Sequence, residues 1–171
     1  VSRYSQALAS KGLTQGKQLS VLALNRPEVL FNMAANQVNA TRSTPLHPMG
    51  SVDDQAYVLG DCGAEALVFD PDNFTDRARE LAERVPTIKH FLSLGPCDFG
   101  EDLNALAMTF EPKPLVAPLV NGEDLAGISY SGGTTGKPKG IMSSYRGGAT
   151  MTQIQMSDWQ WPDEVRFLIC T

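Results

Sequence analysis

The chain has 171 residues, is 42% apolar and 19% charged, and carries a formal net charge of −5. Such a chain is globular, long enough for one ordinary core, and not a disordered tail. Its scattered Lys and Arg exclude nucleic acid as the main partner, since phosphate-backbone binding needs a basic face, and no apolar run reaches the length of a membrane span. In chain order, residues 4–11 have the spacing of a short amphipathic helix stopped by Gly12. Residues 19–24 form a mostly apolar run that predicts a strand buried on both faces. Asn25 is expected to cap a helix with Pro27 and Glu28 in its first turn, running to about Val38. A weaker strand follows over 40–45, ended by Pro45 and Pro48. Ser51 with Asp53 and Asp54 starts another helix that Gly60 or Gly63 terminates, and residues 66–69 read as a third strand. Residues 73–84 predict a charged amphipathic helix whose polar face is solvated, and 88–94 a fourth strand.

Strand and helix signals alternating over short connections predict an α/β fold, a mainly parallel sheet with helices on its faces and right-handed crossovers. Residues 101–108 read as one more helix, and Pro112, Pro114 and Pro118 force an extended path after it. A strand at 127–130 then enters a glycine-rich loop, 140–144 reads as the returning strand, and 145–155 as a helix of modest propensity. Residues 1–124 are thus expected to be the sheet region, and 125–171 the loop hairpin with the start of the next helix–strand unit. The chain opens on Val1 with no signal-peptide pattern and runs out within an apolar stretch, 165–170, that reads as a buried strand. A piece of a longer protein is expected. Cys62, Cys97 and Cys170 lack any CxxC spacing, which suggests reduced thiols in a cytoplasmic protein. His47 and His90 form no metal-ligand pattern and read as structural. Met142, Met151 and Met156 read as core packing, Trp159 and Trp161 as partly buried, and Arg146 as either a surface residue or one that organises the loop.

The loop, residues 131–140, reads Ser-Gly-Gly-Thr-Thr-Gly-Lys-Pro-Lys-Gly. Glycines let backbone N–H groups approach an anion, and hydroxyls and ammonium groups add donors and charge, which is the chemistry of a phosphate cradle. A Walker A loop needs G-x-x-x-x-G-K-[ST]. Here Gly132 and Gly136 are one residue too close, and Lys137 precedes Pro138 where a magnesium-binding hydroxyl should stand. The dinucleotide fingerprint G-x-G-x-x-G fails on spacing as well. An ordinary P-loop ATPase or kinase is thereby disfavoured, and a plain flexible hairpin on a non-enzymatic α/β module remains the bland alternative.

The pattern [ST]-[SG]-G-T-T-G-x-P-K-G resembles the phosphate-binding loop of the adenylate-forming superfamily: acyl-CoA synthetases, adenylation domains of non-ribosomal peptide synthetases, and luciferases. Gly132 stands where serine is usual, at the cost of one hydroxyl. The resemblance covers nearly the whole chain. Gly16 to Glu28, with Asn25, Pro27 and Glu28, is similar to the family's G-D-x-V…N-x-P-E opening. Thr44-Pro45-Leu46-His47-Pro48 resembles V-P-L-N-P with His47 for asparagine, and 61–68 resembles D-S-G-A-x-A-L-V. Asp124-Leu125-Ala126 matches a D-x-A before the loop, and 167–171 looks like the strand that leads to T-P-L-x-H. The general run looks most like a fatty-acyl-CoA synthetase.

The resemblance implies ATP-dependent activation of a carboxylic, most simply fatty, acid to an acyl-adenylate and then a coenzyme A thioester, with Mg2+ on the polyphosphate. It implies that Ser131, Gly132, Gly133, Thr134, Thr135, Gly136 and Lys139 hold the ATP phosphates, with Lys137 at a more variable position. It also implies that these residues are an N-terminal piece of the large domain, without a catalytic residue or metal ligand of its own. The alternative acceptor is a carrier-protein thiol, as in a fatty-acyl-AMP ligase or an adenylation domain. Small-molecule partners and a cytoplasmic location, with peripheral membrane association left open, complete the expectation.

Overall fold

A computed structural model describes residues 1–131, 136–164 and 166. The elements are α1 (Ser2–Ser10), β1 (Gln18–Leu22), α2 (Pro27–Asn39), β2 (Arg42–Pro45), α3 (Val52–Asp61), β3 (Ala66–Phe69) and α4 (Pro71–Arg84). They continue with β4 (His90–Ser93), β5 (Glu101–Asp102), α5 (Leu103–Met108), β6 (Leu125–Ser131), β7 (Lys139–Ser144) and α6 (Tyr145–Asp158). The strands form one sheet in the order β5-β4-β3-β1-β2-β6-β7. All neighbours are parallel except β6 and β7. The fold is therefore the α/β, mainly parallel sheet that the alternating pattern predicts.

Period-two alternation splits the core into two layers. Leu19 and Val21 of β1 and Ala66 and Val68 of β3 face one side, where they meet Tyr4, Ala7 and Leu8 of α1, Ala35 of α2, and Leu103 and Ala107 of α5. Leu22, Leu67 and Phe69 face the other, against Val58 and Leu59 of α3 and Ala78 and Leu81 of α4. Burial of each large apolar side chain stabilises by about 1.5–3 kcal/mol relative to leaving it exposed. This is why β3, buried on both faces, reads as a continuous apolar run and β1 as a mostly apolar one.

Side-chain caps set several helix starts. Ser51 Oγ accepts the Asp54 N–H at 3.1 Å at the start of α3. Asp70 accepts the Asp72 N–H at 3.2 Å with Pro71 in the first turn of α4, so that helix begins two residues before the predicted 73. The cap position of α2 is Arg26, not Asn25, and no side chain caps it. Gly60 lies within α3, and it is Gly63, at φ +67°, that turns the chain out after it. Residues 101–102 pair with β4 and only then does α5 begin.

Arg26 spends its guanidinium on the carboxyl edge of the sheet. It is ion-paired with Asp70, donates to the Leu94 carbonyl at 2.8 Å, and reaches Glu28 at 3.2 Å. The ends of β1, β3 and β4 are thereby tied through one side chain. Arg77 departs from the solvated face expected for α4: it donates to Gln55 Oε1 at 2.7 Å and to the Gly50 carbonyl at 3.0 Å, locking α4 to α3. The methionine expectation also fails. Met142, Met151 and Met156 are 75%, 57% and 51% exposed, because among the described residues nothing packs over that side of β7 and α6. Trp159 is 64% exposed and its ring lies 6.2 Å from that of half-buried Trp161. The strand expected at 165–170 falls outside the described residues but for Arg166. Among the described residues no helix is long and apolar enough to cross a membrane.

Candidate active site

The loop joins β6 to β7 at the carboxyl edge of the parallel sheet, where open α/β sheets bind ligands. Two close approaches put it there. Gly127 pairs with Ser43, and a Cβ at 127 would lie 2.6 Å from the Ser43 carbonyl oxygen, so only glycine lets β6 close against β2. Tyr130 pairs with Gly140 across the hairpin, and a Cβ at 140 would meet Ile128 Cγ2 at 2.9 Å and the Tyr130 ring at 3.2 Å. Gly140 is thus the floor over which the Tyr130 ring lies.

Ser131 and Lys139 are the next cross-strand pair and form the mouth of the loop. The structure brings these two together and leaves both exposed, along with Gly136 and Lys137. Gly132, Gly133, Thr134 and Thr135 lie outside the described residues. The Lys137 ammonium stands 4.9 Å from the centre of the Tyr57 ring on α3. Beside the mouth opens a mostly apolar cleft of about 220 Å³, lined by Pro45, Leu46 and His47 after β2 and by Tyr130, Ser131 and Pro138 of the hairpin. His47 Nδ1 accepts the Met49 N–H at 3.1 Å, which makes His47 a turn-forming residue at the rim.

Three residues near the loop had no signal in the motif: Tyr57, Asp61 and Tyr130. Tyr130 donates its hydroxyl to Asp61 Oδ2 at 2.6 Å. Burial, and then that bond to a carboxylate, push the Tyr130 hydroxyl well above its ordinary pKa, so it stays a protonated donor. Nearby Cys62 is also raised, first by burial, against hydrogen bonds from Ser20 and Thr44 that oppose the shift. Cys62 and Cys97 are free thiols. Arg146 does not reach the loop: it is ion-paired with Glu123 and packs over Gly122 at the far end of the hairpin. Among the described residues no group of three or more His, Cys, Asp and Glu is placed to hold a metal ion.

Comparison with known proteins places this edge-mounted hairpin. The family model for AMP-binding enzymes matches residues 1–171. The chain belongs to the AMP-binding enzyme family. Among curated relatives, the chain is 43% identical to the medium/long-chain-fatty-acid–CoA ligase FadD8 of Mycobacterium tuberculosis, over 100% of its own length and 31% of the ligase. It is 24% identical to 4-coumarate–CoA ligase 3 of Arabidopsis thaliana over 84% of the chain and 25% of that protein. Among solved structures it superposes on the amide bond synthetase McbA from Marinactinospora thermotolerans with a TM-score of 0.78 at 28% identity, covering 91% of this chain and 31% of that one. The fold is also shared with the anthranilate CoA ligase AuaEII in complex with anthranoyl-AMP, TM-score 0.81 at 23% identity, over 89% of this chain and 29% of that one. The chain therefore spans about a third or less of the proteins it matches.

Proposed function

We propose that the protein carrying this chain is an AMP-forming acid–thiol ligase, which activates a fatty acid with ATP and passes the acyl group to coenzyme A. The observation that carries the reading is Ser131–Gly140 spanning a β-hairpin on the carboxyl edge of a sheet whose whole chain is 43% identical to a fatty-acid–CoA ligase. In the first half-reaction the acid's carboxylate attacks the α-phosphate of ATP and pyrophosphate departs. In the second, a thiol displaces AMP. Stabilising the departing pyrophosphate is a task of positioning and electrostatics, for which preorganised donors suffice.

In this proposal the backbone N–H groups of Gly132, Gly133 and Gly136 and the hydroxyls of Ser131, Thr134 and Thr135 hold the β- and γ-phosphates. Lys139 supplies positive charge at the mouth, and Lys137 contributes less directly. Mg2+ would offset charge on the polyphosphate; among the described residues no group of three or more His, Cys, Asp and Glu is placed to hold it. The chain binds phosphate and carries no bond-making group. A cytoplasmic location belongs to the same proposal.

In the full-length protein, Lys139→Ala and Thr134→Ala should each lower carboxylate-dependent ATP–pyrophosphate exchange on the order of tenfold or more, since each removes a charged or hydroxyl donor from the phosphates. Exchange at the unmodified rate in both variants would take the loop out of the mechanism.

A further inference from the structure

Tyr57 and Asp61 lie four residues apart on α3 and so share one face of that helix. Each meets a different stem of the glycine-rich loop. Asp61 accepts the hydroxyl of Tyr130, one residue before the loop, at 2.6 Å. Tyr57 offers its ring to Lys137, on the other stem, with the ammonium 4.9 Å from the ring centre, inside the range of a cation–π contact. The Tyr130 ring in turn lies over Gly140, so the Asp61 contact extends across both strands of the hairpin. The face belongs to a helix held on its other sides: Ser51 caps it, Val58 and Leu59 are buried in the core, and Gln55 is bonded to Arg77 of α4.

We propose that this face of α3 is a positioning element for the phosphate loop: Tyr57 and Asp61 hold the two stems in register and thereby set the affinity for ATP. The inference rests on the adenylation reading above. Neither residue touches phosphate; Tyr57 acts through Lys137, and Asp61 through Tyr130. The ring also gives Lys137, at the position of the motif least tied to phosphate, a role of its own. An ammonium on a ring face is restrained without a carboxylate counter-ion, so the contact does not neutralise its charge.

The test uses the full-length protein with two readouts. Deuterium uptake of the peptide spanning residues 128–141 reports loop order, and the KM for ATP in pyrophosphate exchange reports its use. Tyr57→Leu and Lys137→Met should each raise both uptake rate and KM about two- to fivefold, as expected for loss of an exposed cation–π contact. The double variant should be no worse than either single one. Tyr57→Phe, which keeps the ring, should behave like the unmodified protein. Asp61→Ala and Tyr130→Phe should form a second non-additive pair. In the Tyr57, Asp61 and Tyr130 variants kcat and the KM for the carboxylate should stay within twofold. Additive uptake effects in both pairs, or Tyr57→Leu with unchanged uptake, would overturn the positioning role. Non-additive uptake in a protein that shows no carboxylate-dependent exchange at all would overturn the adenylation reading and leave α3 as the loop's anchor.

Discussion

Arg26 is the residue on which the carboxyl edge depends. Its partner Asp70 is 2% exposed, and although Asp70 also accepts from the Asp72 N–H and from Asn73 Nδ2 at 2.8 Å, only Arg26 brings it positive charge inside the fold. Arg26→Met keeps the aliphatic stem but leaves a buried carboxylate without its cation, and should cost about 3 kcal/mol in a urea unfolding titration. Glu65 presents the opposite case, a shared but wetter pair. The hydrogen bond from Lys89, at 3.1 Å, opposed by burial and reinforced by Lys17 at 3.2 Å, holds its carboxyl below the usual range. A folded pKa below the unfolded one stabilises fully above the ordinary carboxylate range, and the contribution disappears as pH falls through the folded value. Glu65→Gln should therefore be less stable than the unmodified protein near pH 7, by up to about 1 kcal/mol given the exposed lysines. The gap should narrow as pH falls below the ordinary carboxylate range; urea midpoints at pH 7 and in acid measure it. Neither partnership was legible in the sequence, because 26 with 70 and 17 with 65 and 89 meet only after β1, β3 and β4 are laid side by side.

Elements bounded by their own residues were the legible ones. Residues 66–69 form β3 as read, since the apolar run is fenced by Gly63 on one side and Asp70-Pro71 on the other. Ser51 caps α3 as read, because the cap and its acidic first turn are local chemistry. The start of α5 was not legible: whether 101–102 coil or extend is decided by pairing with β4. Helix α6 shows what locality alone supports. It has 14 residues, none of them buried, with Gly147 and Gly148 in its first turn. A helix that short is marginal by itself, and each interior glycine costs about 1 kcal/mol against alanine. Its one strong local support is Ser144, whose Oγ accepts the Gly147 N–H at 3.2 Å. In the 171-residue chain, Ser144→Ala should speed amide exchange across 148–158 about fivefold, the equivalent of a cap worth about 1 kcal/mol. The urea midpoint of the core should not move, because α6 lends that core no buried side chain.

Across the whole molecule, burial falls from the centre of the sheet toward its β6–β7 edge. β1 and β3 are fully covered, whereas β7 and α6 leave Ile141, Met142, Met151, Ile154 and Met156 at least half exposed. The glycine-rich loop is mounted on this thinner edge, which meets the covered strands through the pairing of Gly127 with Ser43 and through the face of α3. The chemistry proposed for the loop rests on ten consecutive residues, but its mounting could not be read from them, because it depends on β2 and β6 meeting from distant parts of the chain. That mounting also divides the motif. Gly140 answers to the ring of Tyr130, so the ten-letter pattern carries a demand from a strand neighbour beside the nucleotide role proposed for the loop. Whatever the loop's threonines and lysines serve, a descendant of this chain would still be held to glycine at 140 for as long as a tyrosine lay across it.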